Sequence, residues 1–227
     1  MFALTGGLTM LAGIALAGIL YLTYRDISRA MFLIFGLMTY LVLLFWRIIA
    51  RSFYRRRNQA AEHGIAPVRL DHTLLYGPNV AEVEKIFTEV LGFYLVESVL
   101  TPDGKSNAAI WLSCSHKVHD IAFAEYPEPG KLHHISFLLT SWEKVLRSAD
   151  IMSMKRVPID IGPTRHGITR GATIYAFDPS GNRFETFAQG YETYPDYPVK
   201  TWTFEEAGTG IFYHDRKLNE SFLSVVT

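Results

Sequence analysis

The sequence predicts an α+β fold of two paired βαβββ modules preceded by a two-helix transmembrane hairpin. Two observations on its 227 residues predict this architecture: two long uncharged runs within the first fifty residues, and a pattern of strand, helix and three strands that occurs twice after residue 68. A third observation is chemical. His72 and His134 occupy equivalent places in the two copies, and a carboxylate, Glu185, falls on the last strand of the second.

From Phe2 to Tyr24 there is no charged side chain, a length that matches the roughly 20 apolar residues needed to span a bilayer. A second run extends from Ala30 to Trp46 and past Arg47 to Ala50, and the two are joined only by Arg25-Asp26-Ile27-Ser28-Arg29. The absence of a basic stretch before the first run, and the second run directly behind it, argue against a cleaved signal peptide. Arg47, Arg51, Arg55, Arg56 and Arg57 follow. By the positive-inside rule they keep the rest of the chain in the cytoplasm, facing lipid headgroups rather than nucleic acid. The expected organisation is a hairpin with its basic flank over 1–57, a polar linker over 58–68 holding a solvated His63, and a cytoplasmic domain tethered to the inner membrane. With 22 basic and 22 acidic side chains the net charge is zero, so nothing global points to a nucleic-acid partner. One cysteine, Cys114, excludes an internal disulfide framework and is expected to be a plain strand residue.

The first module opens on Leu70-Asp71-His72-Thr73-Leu74-Leu75, an expected strand. Asn79, with Glu82 three residues on, has capping-box spacing. Val80, Val83, Ile86, Phe87, Val90 and Leu91 then recur at helical intervals, and Gly92 closes the helix. Strands are expected around 93–100, 108–113 and 120–126. The second module restarts at Leu132-His133-His134-Ile135-Ser136-Phe137, with Ser141 as N-cap and Trp142, Val145, Leu146 and Ala149 as the helical stripe. Its strands are expected around 159–161, 172–177 and 182–187.

Two such units side by side curl their sheets around a shared cleft, and an inward histidine on each opening strand makes a metal cup. Glu185 lies between Phe184 and Phe187 in an otherwise apolar strand. Burying a carboxylate there is costly unless it is paired or binds a metal. Two imidazoles and one carboxylate form the facial triad of non-haem Fe(II) sites, which leaves neighbouring positions open; zinc uses similar ligands.

The segments Leu132-His133-His134-Ile135-Ser136-Phe137, Gly162-Pro163-Thr164-Arg165-His166-Gly167 and Thr173-Ile174-Tyr175-Ala176-Phe177-Asp178-Pro179-Ser180-Gly181-Asn182-Arg183 resemble the catechol 2,3-dioxygenases. These are extradiol enzymes of the vicinal oxygen chelate superfamily. The resemblance runs from about Arg69 to Thr227 and includes Ile211-Phe212-Tyr213-His214-Asp215. It implies an iron-binding domain over 69–190 with a tail, 191–227, packed on it. It assigns Fe(II) to His72, His134 and Glu185, and places His119, His166 and Tyr175 in the substrate pocket. His119 is the implied acid–base residue, while His166 and Tyr175 are expected to hydrogen-bond the substrate oxygens. Trp111, Ile168 and Ile211 are expected as apolar walls or as core. The implied reaction is meta-cleavage of catechol by O2 to 2-hydroxymuconic semialdehyde.

Members of that family carry a further, similar domain without iron before this one. Here the hairpin stands in its place, leaving exposed a surface open to homo-oligomers. Two other readings therefore stay open: a membrane-tethered metal-binding module, or a truncated or fused product with little turnover. The segment Tyr24 to Asn58 resembles the membrane region of bacterial sugar-phosphate transferases. Of the other histidines, strand alternation sends His133 to the face opposite His134, His116 is expected on a surface loop, and His214 in the tail.

Overall fold

The computed structural model describes residues 29–224 continuously, together with Gly13, Ala15, Gly18 and Ile19. The chain forms two compact units, Met1–Gln59 and Ala60–Thr227. The helix α1 runs over Arg29–His63, all but its last turn in the first unit. Its window Gly36–Tyr54 has a mean hydropathy of 1.4 and is long and apolar enough to cross a membrane. Phe45 and Trp46 are exposed on it. The first arm of the expected hairpin lies outside the described residues, apart from four helical ones; among the described residues one helix is of spanning length. The stretch expected as a polar linker, 58–68, begins as helix, because α1 continues to His63. Its Asn-Gln-Ala-Ala-Glu stretch contains four good helix formers, and helix ends only where Gly64 and Pro67 interrupt it.

In the second unit the two modules are β1 (Arg69–Gly77), α2 (Val80–Lys85), β2 (Tyr94–Leu100), β3 (Asn107–Ser113) and β4 (Ile121–Glu125), then β5 (Lys131–Leu138), α3 (Trp142–Met154), β6 (Ile159–Arg165), β7 (Gly171–Phe177) and β8 (Arg183–Gln189). A short β9 (Lys200–Trp202), α4 (Ala207–Ile211) and α5 (Glu220–Ser224) follow; these three were not foreseen. The strands form one sheet in the order β6-β7-β8-β5-β1-β4-β3-β2-β9. The two modules thus mirror each other across the antiparallel pair β1–β5.

Strand alternation divides the side chains between two faces. On β3, Ile110 and Leu112 pack with Val80 of α2, while Trp111 lies on the other face with Val99, Ala122 and Ile168. On β7, Ile174 and Ala176 pack with Val145 and Met152 of α3, and Tyr175 joins Phe212 and Phe222 from the tail. The helices therefore seal one face, and the tail closes part of the other.

Two local expectations are corrected. Asn79 does not cap α2 with its side chain; it takes a left-handed conformation (φ 65°) and its backbone carbonyl accepts from Glu82 and Val83 instead. The helix then widens into a π-turn over Ile86–Val90 before Gly92, at φ 74°, turns the chain. Ser141 does cap α3, accepting from the Lys144 amide. Leu146, read as part of the buried stripe, is exposed, and Ser148 takes an inward position on α3.

Candidate metal centre

Register brings the three expected ligands together. His72 pairs with Ser136 across β1–β5, Ser136 with Glu185 across β5–β8, and Glu185 with Tyr175 across β8–β7. These four residues thus form one row across four strands, and His134 lies two residues along β5 from Ser136, on the same face. Because Ser136 is small, His72 and Glu185 meet above it. One ligand atom from each of His72, His134 and Glu185 lies within 4.8 Å of the others, and all three residues are buried.

Hydrogen bonds set the orientation of each imidazole. His72 Nδ1 is 3.0 Å from Asp71 Oδ2. A carboxylate only accepts, so Nδ1 carries a proton and Nε2 points into the site. His133 Nε2 is 2.8 Å from the Phe222 carbonyl, and its Nδ1 is 2.6 Å from His134 Nδ1. His133 Nε2 faces both that carbonyl and a guanidinium, and the two facing Nδ1 atoms share one proton; with that proton on His134 Nδ1, His134 Nε2 offers a lone pair to the site. The Arg183 guanidinium, a donor only, lies 2.7 Å from His133 Nε2 and shares the same carbonyl. Burial, then Arg183, pull His133 down to about 3 and keep it neutral. His133 is therefore not a bystander on the far face: it props a ligand and ties it to α5.

Glu185 Oε1 accepts from Thr173 Oγ1. Its Oε2 lies 2.9 Å from His72 Nε2 and 3.4 Å from His134 Nε2, yet it is buried without a hydrogen bond. Burial pushes the Glu185 carboxyl up, but the His72 charge and the His166 and His72 contacts override this and hold it well below the usual range. When His72 gives up its Nε2 proton, the imidazole nitrogens and the Glu185 oxygen left without a hydrogen bond converge as a donor set that suits a divalent cation. The residues present fit a metal.

The cavity beside these ligands is lined by His119, His166, Tyr175, Trp111, Ile168 and Ile211, all six of the expected pocket residues, and also by Leu74, Thr169, Phe187 and Phe222. His166 Nδ1 donates to the Ile211 carbonyl, so its Nε2, 2.8 Å from the Tyr175 hydroxyl, accepts from it. The Tyr175 oxygen keeps its lone pairs for a substrate hydroxyl. Burial, then Glu185, raise the Tyr175 phenol well above its usual value. His119 is buried with Nδ1 unpartnered, its ring 4.0 Å from that of His72. Burial, then the His72 charge, keep it neutral, well below the ordinary histidine value. Phe187 stands edge-on to His72 and fills the space over Gly171, where a Cβ would come within 1.9 Å of its ring.

Of the remaining residues, His116 and His214 are exposed, and Cys114 is exposed just beyond β3 rather than within a strand. Asp71, His133, Thr173 and Ser136 were missed in the sequence. The one available signal was adjacency: Asp71 and His133 each directly precede a ligand.

A duplicated βαβββ fold with an open His-His-Glu site defines a metal-binding protein of the vicinal oxygen chelate type. Residues 69–186 match the Glyoxalase/Bleomycin resistance protein/Dioxygenase superfamily, and the chain belongs to it. Among its relatives, a metapyrocatechase of Pseudomonas sp. (strain CF600) is 56% identical over 164 residues, covering 72% of this chain and 53% of that protein. A manganese-dependent 2,3-dihydroxybiphenyl 1,2-dioxygenase of Geobacillus genomosp. 3 is 34% identical, covering 67% and 50%. Among solved structures, the 2,3-dioxygenase LapB from Pseudomonas sp. KL28 aligns with a TM-score of 0.62 at 76% identity, covering 63% and 50%. Homoprotocatechuate 2,3-dioxygenase from Brevibacterium fuscum, with 3,4-dihydroxyphenylacetate, aligns with 0.65 at 29%, covering 71% and 50%. The chain spans about half the length of the curated relatives it matches. The family match begins at residue 69 and leaves the resemblance of Tyr24–Asn58 to sugar-phosphate transferases without support.

Proposed function

We propose that this chain is an extradiol dioxygenase that holds Fe(II) through His72, His134 and Glu185 and cleaves catechol-type rings with O2 to a 2-hydroxymuconic semialdehyde. The observation that carries the proposal is that three ligand atoms face a cavity walled by His119, His166 and Tyr175. Relatives named metapyrocatechase and dioxygenase support it. A bound iron supplies adjacent coordination positions for the catechol oxygens and O2 and the exchange of electrons between them, which zinc does not.

The chain's own residues do the rest. Tyr175, held by His166, accepts a hydrogen bond from a catechol hydroxyl and sets the ring's rotation. His119, kept unprotonated by its burial, has a ring nitrogen free to take a substrate proton. Trp111, Ile168, Ile211 and Phe222 exclude water and clamp the ring's faces. Anaerobic loading with Fe(II) or Mn(II), followed by O2 uptake and yellow product from catechol, tests the proposal. Stoichiometric metal binding with neither signal for either metal would sink it in favour of a metal-binding module.

We also propose that Gly36–Tyr54 anchors the chain in the inner membrane, with Arg55, Arg56 and Arg57 at the cytoplasmic headgroups. The support is its length, apolarity and exposed side chains. Release of the full chain from membranes by alkaline carbonate would contradict the anchor.

A further inference from the structure

Far from the metal ligands, a carboxylate is buried with no exposure at all: Glu97 on β2. Its register neighbours place it on the site face. Glu97 pairs with Trp111, Trp111 with Ala122, Ala122 with Leu74, and Leu74 with His134. Four strand spacings separate it from that ligand along the curved sheet, and it does not line the cavity, so it does not touch the reacting atoms.

Three neutral donors satisfy Glu97. Oε1 accepts from the Thr169 amide at 2.8 Å and from the Tyr191 hydroxyl at 2.7 Å, and Oε2 accepts from the Trp202 indole N–H at 2.6 Å. They come from three segments: the β6–β7 loop, the stretch after β8, and β9. The β6–β7 loop carries His166 and Ile168 into the cavity. It is also strained, because Thr169 and Arg170 both lie at positive φ, 61° and 56°. A β-branched residue there is a genuine outlier, and such conformations persist only where the surroundings over-determine them. Trp202, fixed by Glu97, supplies a second hold. A Cβ on Gly167 would lie 3.2 Å from its indole and 2.6 Å from the Thr209 carbonyl, while the Gly167 and Ile168 amides bond the Gly210 carbonyl.

We propose that Glu97 is a positioning residue that locks the β6–β7 loop in its strained form, so that His166 and Ile168 present a fixed wall to the aromatic ring. This rests on the dioxygenase reading and deepens it, because it assigns substrate alignment to a carboxylate in the half of the fold that supplies neither His134 nor Glu185.

The test compares wild type, Glu97→Gln and Tyr191→Phe as full chains loaded with metal. Glu97→Gln turns an NH2 group toward one donor, and Tyr191→Phe removes a single hydroxyl should the first variant fail to fold. Hydrogen exchange at the Thr169 amide is expected to quicken about 10-fold or more, the scale of a lost hydrogen bond to a charged group. KM for catechol is expected to rise by a similar factor, with kcat within about threefold and bound metal unchanged. Unchanged Thr169 exchange in both variants, or lowered stability at wild-type KM, would overturn the proposal. Because exchange is read without turnover, an inactive wild-type chain overturns the dioxygenase reading alone.

Discussion

Nε2 of His72 lies 2.9 Å from Oε2 of Glu185, although the strands that carry them are not neighbours; β5 runs between β1 and β8. The two side chains meet because the β5 residue between them, Ser136, is small, and its hydroxyl is buried without a partner. Ser136→Leu should therefore fill the cup. Metal content measured by elemental analysis is expected to fall below about a tenth of wild type, since a well-packed site does not accept three extra carbons without displacement. A variant with full metal content would show that the row does not bound the site.

Asp71 orients His72 from behind. Asp71→Asn keeps the shape but loses the charge that holds the Nδ1 proton. Loss of such a partner costs about 10- to 100-fold in metal affinity, readable by competition with a chelator. An unchanged affinity would mean that packing alone orients the ring.

Tyr175→Phe leaves the ring in place against His134 and Phe222 and removes one hydroxyl. It strips His166 Nε2 of its donor and the substrate of an acceptor. The expected loss in kcat/KM is about 5- to 150-fold, the range of one to three kcal/mol for an unmade buried hydrogen bond. Metal affinity should stay within error, and a large drop there would reassign Tyr175 to the metal cup.

Asp120 pins the loop that carries His119, accepting from the Cys114 amide, Ser115 and Lys117. Burial raises its carboxyl, but these partners, Lys117 foremost, bring it down to about 2 from an ordinary 3.8. A group with a depressed folded value adds stability above its unfolded value and loses it as pH falls through the folded one. Thermal stability should therefore fall between about pH 4 and 2, and Asp120→Asn should flatten that limb. A variant as steep as wild type in that window would assign the limb to other carboxylates.

Local signals were sufficient for much of this. The two-fold repeat and the positions of ten elements could be read from hydrophobic spacing, and Ser141 from its capping chemistry. Asn79 misled because its left-handed backbone, which no spacing rule reveals, made the side-chain cap unnecessary. The Ala-rich stretch after Asn58 looked like a polar linker, although its helix propensity was the stronger influence.

The sequence by itself determined that His72 and His134 recur at equivalent places and that Glu185 sits in an apolar strand, because period-two alternation and burial cost act locally. Only the tertiary structure decided that Asp71 and His133 prop those ligands, that Phe222 of the tail closes the cavity, and that Glu97 holds a loop more than seventy residues away. Those relationships depend on strand order and register, which bring distant segments within hydrogen-bond range and which local spacing does not encode.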